Sequence, residues 1–179
     1  MFFEISLGIP DRQAENVKVN QREAFRAVII RKGLLLMLKT NKGDMKFPGG
    51  GRKINENHEK ALIREVREET GYLVKRINGK AGVAIERIKD AFEPGALFEM
   101  VSHYYFCDVS DDQGKQDLDD YEKALDFQTC WVTVDEAIEI NEQVLMRNYD
   151  VNRWVQREAM VLRKLKSIIP TMDSKGLSS

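Results

Sequence analysis

The stretch GGRKINENHEKALIREVREETGY, Gly50–Tyr72, runs from a glycine-rich loop into a segment that local rules make a helix. No proline lies between Glu56 and Thr70. Glu, Lys, Ala, Leu and Arg dominate, and Gly71 stands where a C-terminal cap belongs. At about 100° per residue, Leu62, Ile63 and Val66 gather on one side as a core-facing stripe. Glu65, Glu68 and Glu69 share another face, where three carboxylates repel one another at a helix end that already carries partial negative charge. Something must offset that repulsion.

Two readings are open. In one, this is a solvated face whose acids pair with Lys60, Arg64 and Arg67, as in most Glu-rich helices. In the other, the acids await a hard divalent cation, since Mg²⁺ or Mn²⁺ prefers carboxylate and carbonyl oxygen. The preceding loop, Phe47-Pro48-Gly49-Gly50-Gly51, bears on the choice. Its glycines let backbone carbonyls and amides approach an ion or phosphate without side-chain obstruction, and such a loop leading into a helix suits anions. Loop and triad together favour the cation.

The same residues resemble the signature of the Nudix hydrolases, which cleave a diphosphate bond in a nucleoside diphosphate linked to another group. That signature reads Gly, five residues, Glu, seven residues, Arg-Glu, an aliphatic residue, any residue, Glu-Glu, any residue, Gly and an aliphatic residue. Gly50, Glu56, Arg64, Glu65, Val66, Glu68, Glu69 and Gly71 fall in register, and Tyr72 departs at the last place. The resemblance implies an α/β fold: a Nudix-type α/β/α sandwich with a mixed β-sheet and a loop-helix-loop catalytic box at residues 50–72. It further implies that Mg²⁺ (or Mn²⁺) is held by Glu65 and Glu69, with Glu68 and the Gly50 carbonyl assisting. Glu56, Arg64 and Gly71 would support the box, and one glutamate would act as general base. Dimers are common in the family, so a homodimer is an expectation.

Composition agrees with one soluble enzyme domain spanning residues 1–179, of which 42% are apolar and 32% charged. Lys and Arg total 28 against 29 Asp and Glu, so no global basic field recruits long nucleic acid. Cys107 and Cys130 lack a CxxC companion, which points to buried thiols in strands rather than zinc or a disulfide framework. The opening MFFEISLGIP has an acid at Glu4 and no basic lead, which does not read as a signal peptide or membrane span. A cytoplasmic location is the default expectation.

Along the chain, Glu23–Arg31 and Leu34–Lys39 read as a hairpin about Lys32-Gly33, followed by a turn at Thr40-Asn41-Lys42-Gly43. Leu73–Asn78, Gly82–Lys89, Ala96–Asp108 and Phe127–Val132 read as further strands. Thr133 opens a helix through a capping box with Glu136. A final helix over about residues 151–168 carries Val151, Trp154, Val155, Leu162 and Leu165 on one stripe and ends before Pro170.

The acidic run Asp108–Asp126 reads either as a solvated loop or as the source of a further acid for the site. The family recruits such a residue beyond its box, and Glu122 is the candidate because DYEKALDFQTCWVTVDEA resembles the stretch before the family's late strand and helix. Arg26, Lys39, Arg52 and Lys53 are candidates for the phosphate tail. Phe25, Phe47, Phe92 and Tyr104 are candidates to grip a flat group, with core packing the commoner fate of each. His58 and His103 have no nucleophile or ligand partner in the sequence and read as structural or exposed, which argues against a histidine-based hydrolase.

The region after the box, Ala84–Lys89, holds neither the proline of ADP-ribose hydrolases nor the tyrosine of dinucleoside polyphosphate hydrolases. The compact chain and its FPGGG segment look most like MutT-type enzymes, which convert nucleoside triphosphates to monophosphate and pyrophosphate. Hydrolysis of ADP-ribose or another nucleotide sugar is the alternative. A non-catalytic nucleotide sensor or RNA-binding module is the alternative of another class.

Overall fold

The computed structural model describes residues 1–10, 16–147 and 149–173. Nine strands and four helices appear among them. β1 (Phe3–Gly8), β2 (Val19–Val28), β3 (Ile30–Arg31), β4 (Leu34–Lys39), β5 (Met45–Lys46) and β6 (Gly49–Gly51) precede helix α1 (His58–Thr70). β7 (Val74–Lys89), β8 (Leu97–Val109), the short α2 (Asp120–Ala124), β9 (Gln128–Val132), α3 (Val134–Arg147) and α4 (Val155–Asp173) follow.

The main sheet is mixed, in the order β1-β7-β8-β2-β6. β1 runs parallel to β7 and β2 parallel to β8, while β7 and β8 form an antiparallel hairpin and β6 lies antiparallel to β2. A smaller sheet joins β4 to β3, β5 and β9. The chain changes sheet at Ile29, so the expected hairpin is real but its first arm is split between the two sheets.

Alternation along β2 decides what each face meets. Phe25 and Ala27 pack against Ala61, Leu62 and Val66 of α1, while Val28 joins Tyr104 and Phe106 beneath Val161, Leu162 and Leu165 of α4. The sheet therefore lies between α1 and α4, the α/β/α arrangement expected. Truncating a core side chain such as Leu62 to Ala would cost about 2–5 kcal/mol.

Several expectations are corrected. Ile63 is 40% exposed, because Ala61 rather than Ile63 completes the buried stripe of α1. Residues 74–89 form one strand rather than two, since Gly79, at φ 133°, is absorbed as a register shift against β8 instead of making a turn. β1, absent from the expected strands, is visible in the alternation of FEISLG, with Phe3 and Ile5 buried between exposed Glu4 and Ser6. The last helix starts later than expected, at Val155, and continues through Pro170 to Asp173. A proline removes one helical hydrogen bond without always ending the helix. No helix among the described residues is long and apolar enough to cross a membrane.

Candidate active site

α1 begins at Asn57, whose side chain accepts from the Lys60 amide, and ends at Gly71 with φ 77°, the left-handed cap a glycine provides. Its last carbonyls are not left to water. The Gln116 side chain donates to Glu69 O at 2.5 Å, the Gln113 side chain to Thr70 O at 2.9 Å, and the Asp117 and Gly114 amides to Glu68 O and Gly71 O, both at 2.8 Å. The acidic run is thus not simply a solvated loop. Its segment 113–117 supplies the donors that the negative end of α1 lacks, and this contact carries the following turn to the site.

That turn is α2, closed by a capping box in which the Glu122 carboxylate accepts from the Asp119 amide and Asp119 accepts from the Glu122 amide. Glu122 is thereby fixed beside α1. Ligand oxygens of Glu65, Glu69 and Glu122 all lie within 4.8 Å of one another. Glu68 stays on the outer side, bonded to Arg64 at 2.8 Å and 3.7 Å from Lys53.

Each member of the trio is held differently. Glu69 is fully buried: one oxygen accepts from Lys46 Nζ at 2.5 Å and the other from the Gly49 amide at 2.5 Å. Burial pushes its carboxyl up to about 7, against the opposing pull of Lys46 and the Gly49 amide. Glu65 accepts from Arg64 at 2.7 Å and lies beneath Gly50, where a Cβ would come within 2.6 Å of its Oε2. Burial also raises the Glu122 carboxyl above its usual range. Arg64 in turn donates to both oxygens of Glu56 at 2.8 and 2.9 Å and to Gly51 O at 3.1 Å, fastening the loop to the helix. That hydrogen bonding holds the Glu56 carboxyl down at about 2 and raises Arg64.

The donor set is all oxygen, carries more carboxylates than it has cations to pair them, and borders a backbone that only glycine leaves open. Those are the properties a hard divalent cation needs. Glu65, Glu69 and Glu122 fit it.

The phosphate and base candidates fare unevenly. Arg26 is buried, donating to Gly49 O at 3.2 Å, so it is a brace under the loop rather than a free surface charge. Lys39 is exposed at the end of β4. Arg52 is exposed and lines an open groove with Glu56, Asn57, His58, Leu62 and Tyr105. Phe47 is fully buried edge-on to Tyr104, with ring centroids 5.6 Å apart, which removes it as a stacking surface. Phe25 is buried under His58, Tyr104 is buried, and Phe92 is 98% exposed. His58 stacks on Phe25 and His103 bonds Glu23 at 3.1 Å, both distant in role from a nucleophile. The Cys107 thiol is buried and pushed up to about 12, while Cys130 is partly buried. Tyr72, the departure from the signature, packs edge-on to Trp131 and accepts its indole N–H at 3.2 Å.

Sequence reasoning missed Lys46, Arg157 and Glu158. Glu158 is fully buried on α4, accepts from Arg157 at 2.8 Å and from the Tyr104 hydroxyl at 3.2 Å, and receives the Phe47 amide at 3.3 Å. Arg157 also binds Glu86. The available signal was the interruption of an otherwise apolar helix face by an Arg-Glu pair.

A family model for the NUDIX domain matches residues 20–156. Among solved structures, the chain is similar to a NUDIX hydrolase from Nitrosomonas europaea, with 18% identity, 83% of this chain and 90% of that one covered, and a TM-score of 0.56. It is also similar to the E. coli ORF135 protein, with 21% identity, 70% and 81% covered, and a TM-score of 0.50. A MutT NUDIX hydrolase from Burkholderia pseudomallei is 23% identical, with 65% and 85% covered and a TM-score of 0.49. No curated protein sequence matches the chain.

Proposed function

The chain belongs to the NUDIX domain family, hydrolases acting on phosphorus-containing anhydrides, and on that premise we propose that it cleaves a nucleoside triphosphate to nucleoside monophosphate and pyrophosphate, with Mg²⁺ or Mn²⁺ as cofactor. The observation that carries the catalytic reading is the meeting of Glu65, Glu69 and Glu122 within 4.8 Å. The triphosphate reading is supported by the FPGGG segment and by a post-box region without the ADP-ribose or dinucleoside markers.

Hydrolysis requires that negative charge on the diphosphate be neutralised and that water attack phosphorus in line with the departing oxygen. When bound, a divalent cation supplies Lewis-acid charge and makes water more acidic. Glu65 and Glu69 would hold it, with the Gly50 backbone assisting and Glu68, turned outward to Arg64, in support. Glu122 takes the proton of the attacking water, because Arg64 already pairs Glu65 and Lys46 already pairs Glu69. Arg64, Glu56 and Gly71 keep loop and helix in register, and Arg52, exposed beside Glu56 in the groove, would meet a polyphosphate tail.

The test is turnover of a panel of nucleoside triphosphates, nucleotide sugars and dinucleotides with Mg²⁺ or Mn²⁺. Pyrophosphate release from triphosphates, abolished in Glu69→Gln with circular dichroism unchanged, is the expected result. Turnover confined to ADP-ribose or another nucleotide sugar would replace the substrate while keeping the chemistry. Metal-dependent binding without turnover of any compound would make the domain a sensor.

A further inference from the structure

Lys46 lies in the two-residue strand β5, and its side chain is 7% exposed. Its ammonium is 2.5 Å from Glu69 Oε1, 3.5 Å from Gly49 O and 4.6 Å over the ring of Phe127. A buried ammonium is costly unless its charge is met, and here it is met by a carboxylate that belongs to the Glu65–Glu69–Glu122 trio. Gly49 donates to the other oxygen of Glu69, so the carboxylate is oriented from both sides. Without a charge at this place, Glu65, Glu69 and Glu122 would face one another across less than 5 Å with Arg64 alone beside them.

We propose that Lys46 is a built-in counter-ion: it keeps the Glu65–Glu69–Glu122 cradle assembled in the metal-free protein and competes with the divalent cation for Glu69. The inference rests on the site reading above and extends it to how readily that site loads. The ammonium sits where positive charge is needed when no cation is bound, and a cation that takes the same carboxylate must weaken the Lys46–Glu69 bond. Removing the ammonium therefore has two opposite effects. The empty cradle loses stability, and the loaded cradle is favoured. A purely structural lysine would give the reverse for loading, because a misplaced Glu69 holds a cation less well.

The experiment uses the full chain as wild type, Lys46→Met, which keeps an unbranched apolar stem against Phe127, and Lys46→Arg, which keeps the charge. Mn²⁺ affinity is read from the free-ion electron paramagnetic resonance signal, and metal-free melting is followed in EDTA. Lys46→Met is expected to melt lower in EDTA and to bind Mn²⁺ roughly tenfold more tightly, the change expected on losing one charge-assisted competitor. Lys46→Arg should restore both values toward wild type. Equal or weaker binding by Lys46→Met overturns the proposal. Should that variant not fold, the ammonium resonance of Lys46 in the ¹⁵N-labelled wild type decides. It should move on Mg²⁺ saturation, and a resonance that stays in place overturns the proposal. A wild-type chain that binds no Mn²⁺ sinks the site reading itself, an outcome distinct from wild-type binding with no gain in the variant.

Discussion

Two charge clusters, one largely buried and one half-buried, meet at the Gly49 peptide, and they are built to opposite ends. On the α4 side, Arg26 and Arg157 face Glu86 and Glu158, two cations against two carboxylates, with the Tyr104 hydroxyl and the Phe47 amide completing the coordination of Glu158. On the α1 side, Glu65, Glu69 and Glu122 converge with Lys46 and Arg64 as their cations, and Arg64 is shared with Glu56 and Glu68. The Gly49 carbonyl accepts from Arg26 and its amide donates to Glu69. The first cluster is balanced and closed. The second is short of positive charge and opens at a glycine loop. The balanced cluster braces the fold, and the imbalance of the other is what the proposed cation would relieve.

The largest effects should fall on opposite properties of the two clusters. Glu122→Gln is expected to lower kcat by about 10²–10⁴-fold. Its metal-free melting temperature should hold or rise, because one repelling carboxylate is gone. Glu158→Gln leaves two buried guanidinium groups undercompensated and should cost about 3–5 kcal/mol. That corresponds to a fall in Tm of about 10 °C, the same in EDTA and in Mg²⁺. Thermal melts and initial rates on both variants decide it. A Glu122→Gln protein that melts as low as Glu158→Gln would erase the distinction between the clusters.

Gly50→Ala sharpens the comparison within the loop. A methyl group there would sit 2.6 Å from Glu65 Oε2, and the flexible carboxylate is what must yield. Mn²⁺ affinity and kcat should each fall by about 10–100-fold, with a loss of stability under about 1 kcal/mol. Gly49 has φ 132° and a Cβ there would meet Arg26 Cα at 2.7 Å, so Gly49→Ala should damage the fold and both clusters together. Gly50→Ala retaining full Mn²⁺ affinity would show that Glu65 is not needed where it stands.

How much of this was legible follows the range of the interactions. The box helix, its Gly71 cap and the Thr133–Glu136 capping box depend on neighbours three or four residues apart, and the sequence displays them directly. Glu122 was visible as one acid in an acidic run. What places it, the capping of α1 by Gln113 and Gln116, spans 43 and 47 residues and leaves no local pattern. Lys46 gives no local signal, because a lone lysine in a short segment reads as surface charge until Glu69, 23 residues on, is folded against it. Phe47 reads as a base-gripping candidate because its position beside the glycine loop is local, whereas its burial against Tyr104 is not. The break expected between Asn78 and Gly82 rests on local composition, and only pairing with β8 turns it into a register shift within one strand.

The smallest effect tests the rim of the unbalanced cluster. Glu56 ties the loop to α1 through Arg64, which holds its carboxyl at about 2 against an ordinary 4.5. A carboxyl lowered on folding stabilises the native state at pH values above its unfolded pKa, and that contribution disappears as pH falls through the folded one. Glu56→Gln keeps the shape and loses the charge, so at pH 7 it should cost about 1 kcal/mol, modest because the pair lies near solvent. The gap between wild type and variant should be constant above about pH 5 and close between about pH 4.5 and pH 2. Urea unfolding of both proteins across that window measures it. A gap that persists unchanged at pH 2 would mean that the Glu56 side chain acts through packing, and that the Arg64 network reaches less far from the Glu65–Glu69–Glu122 trio than its hydrogen bonds indicate.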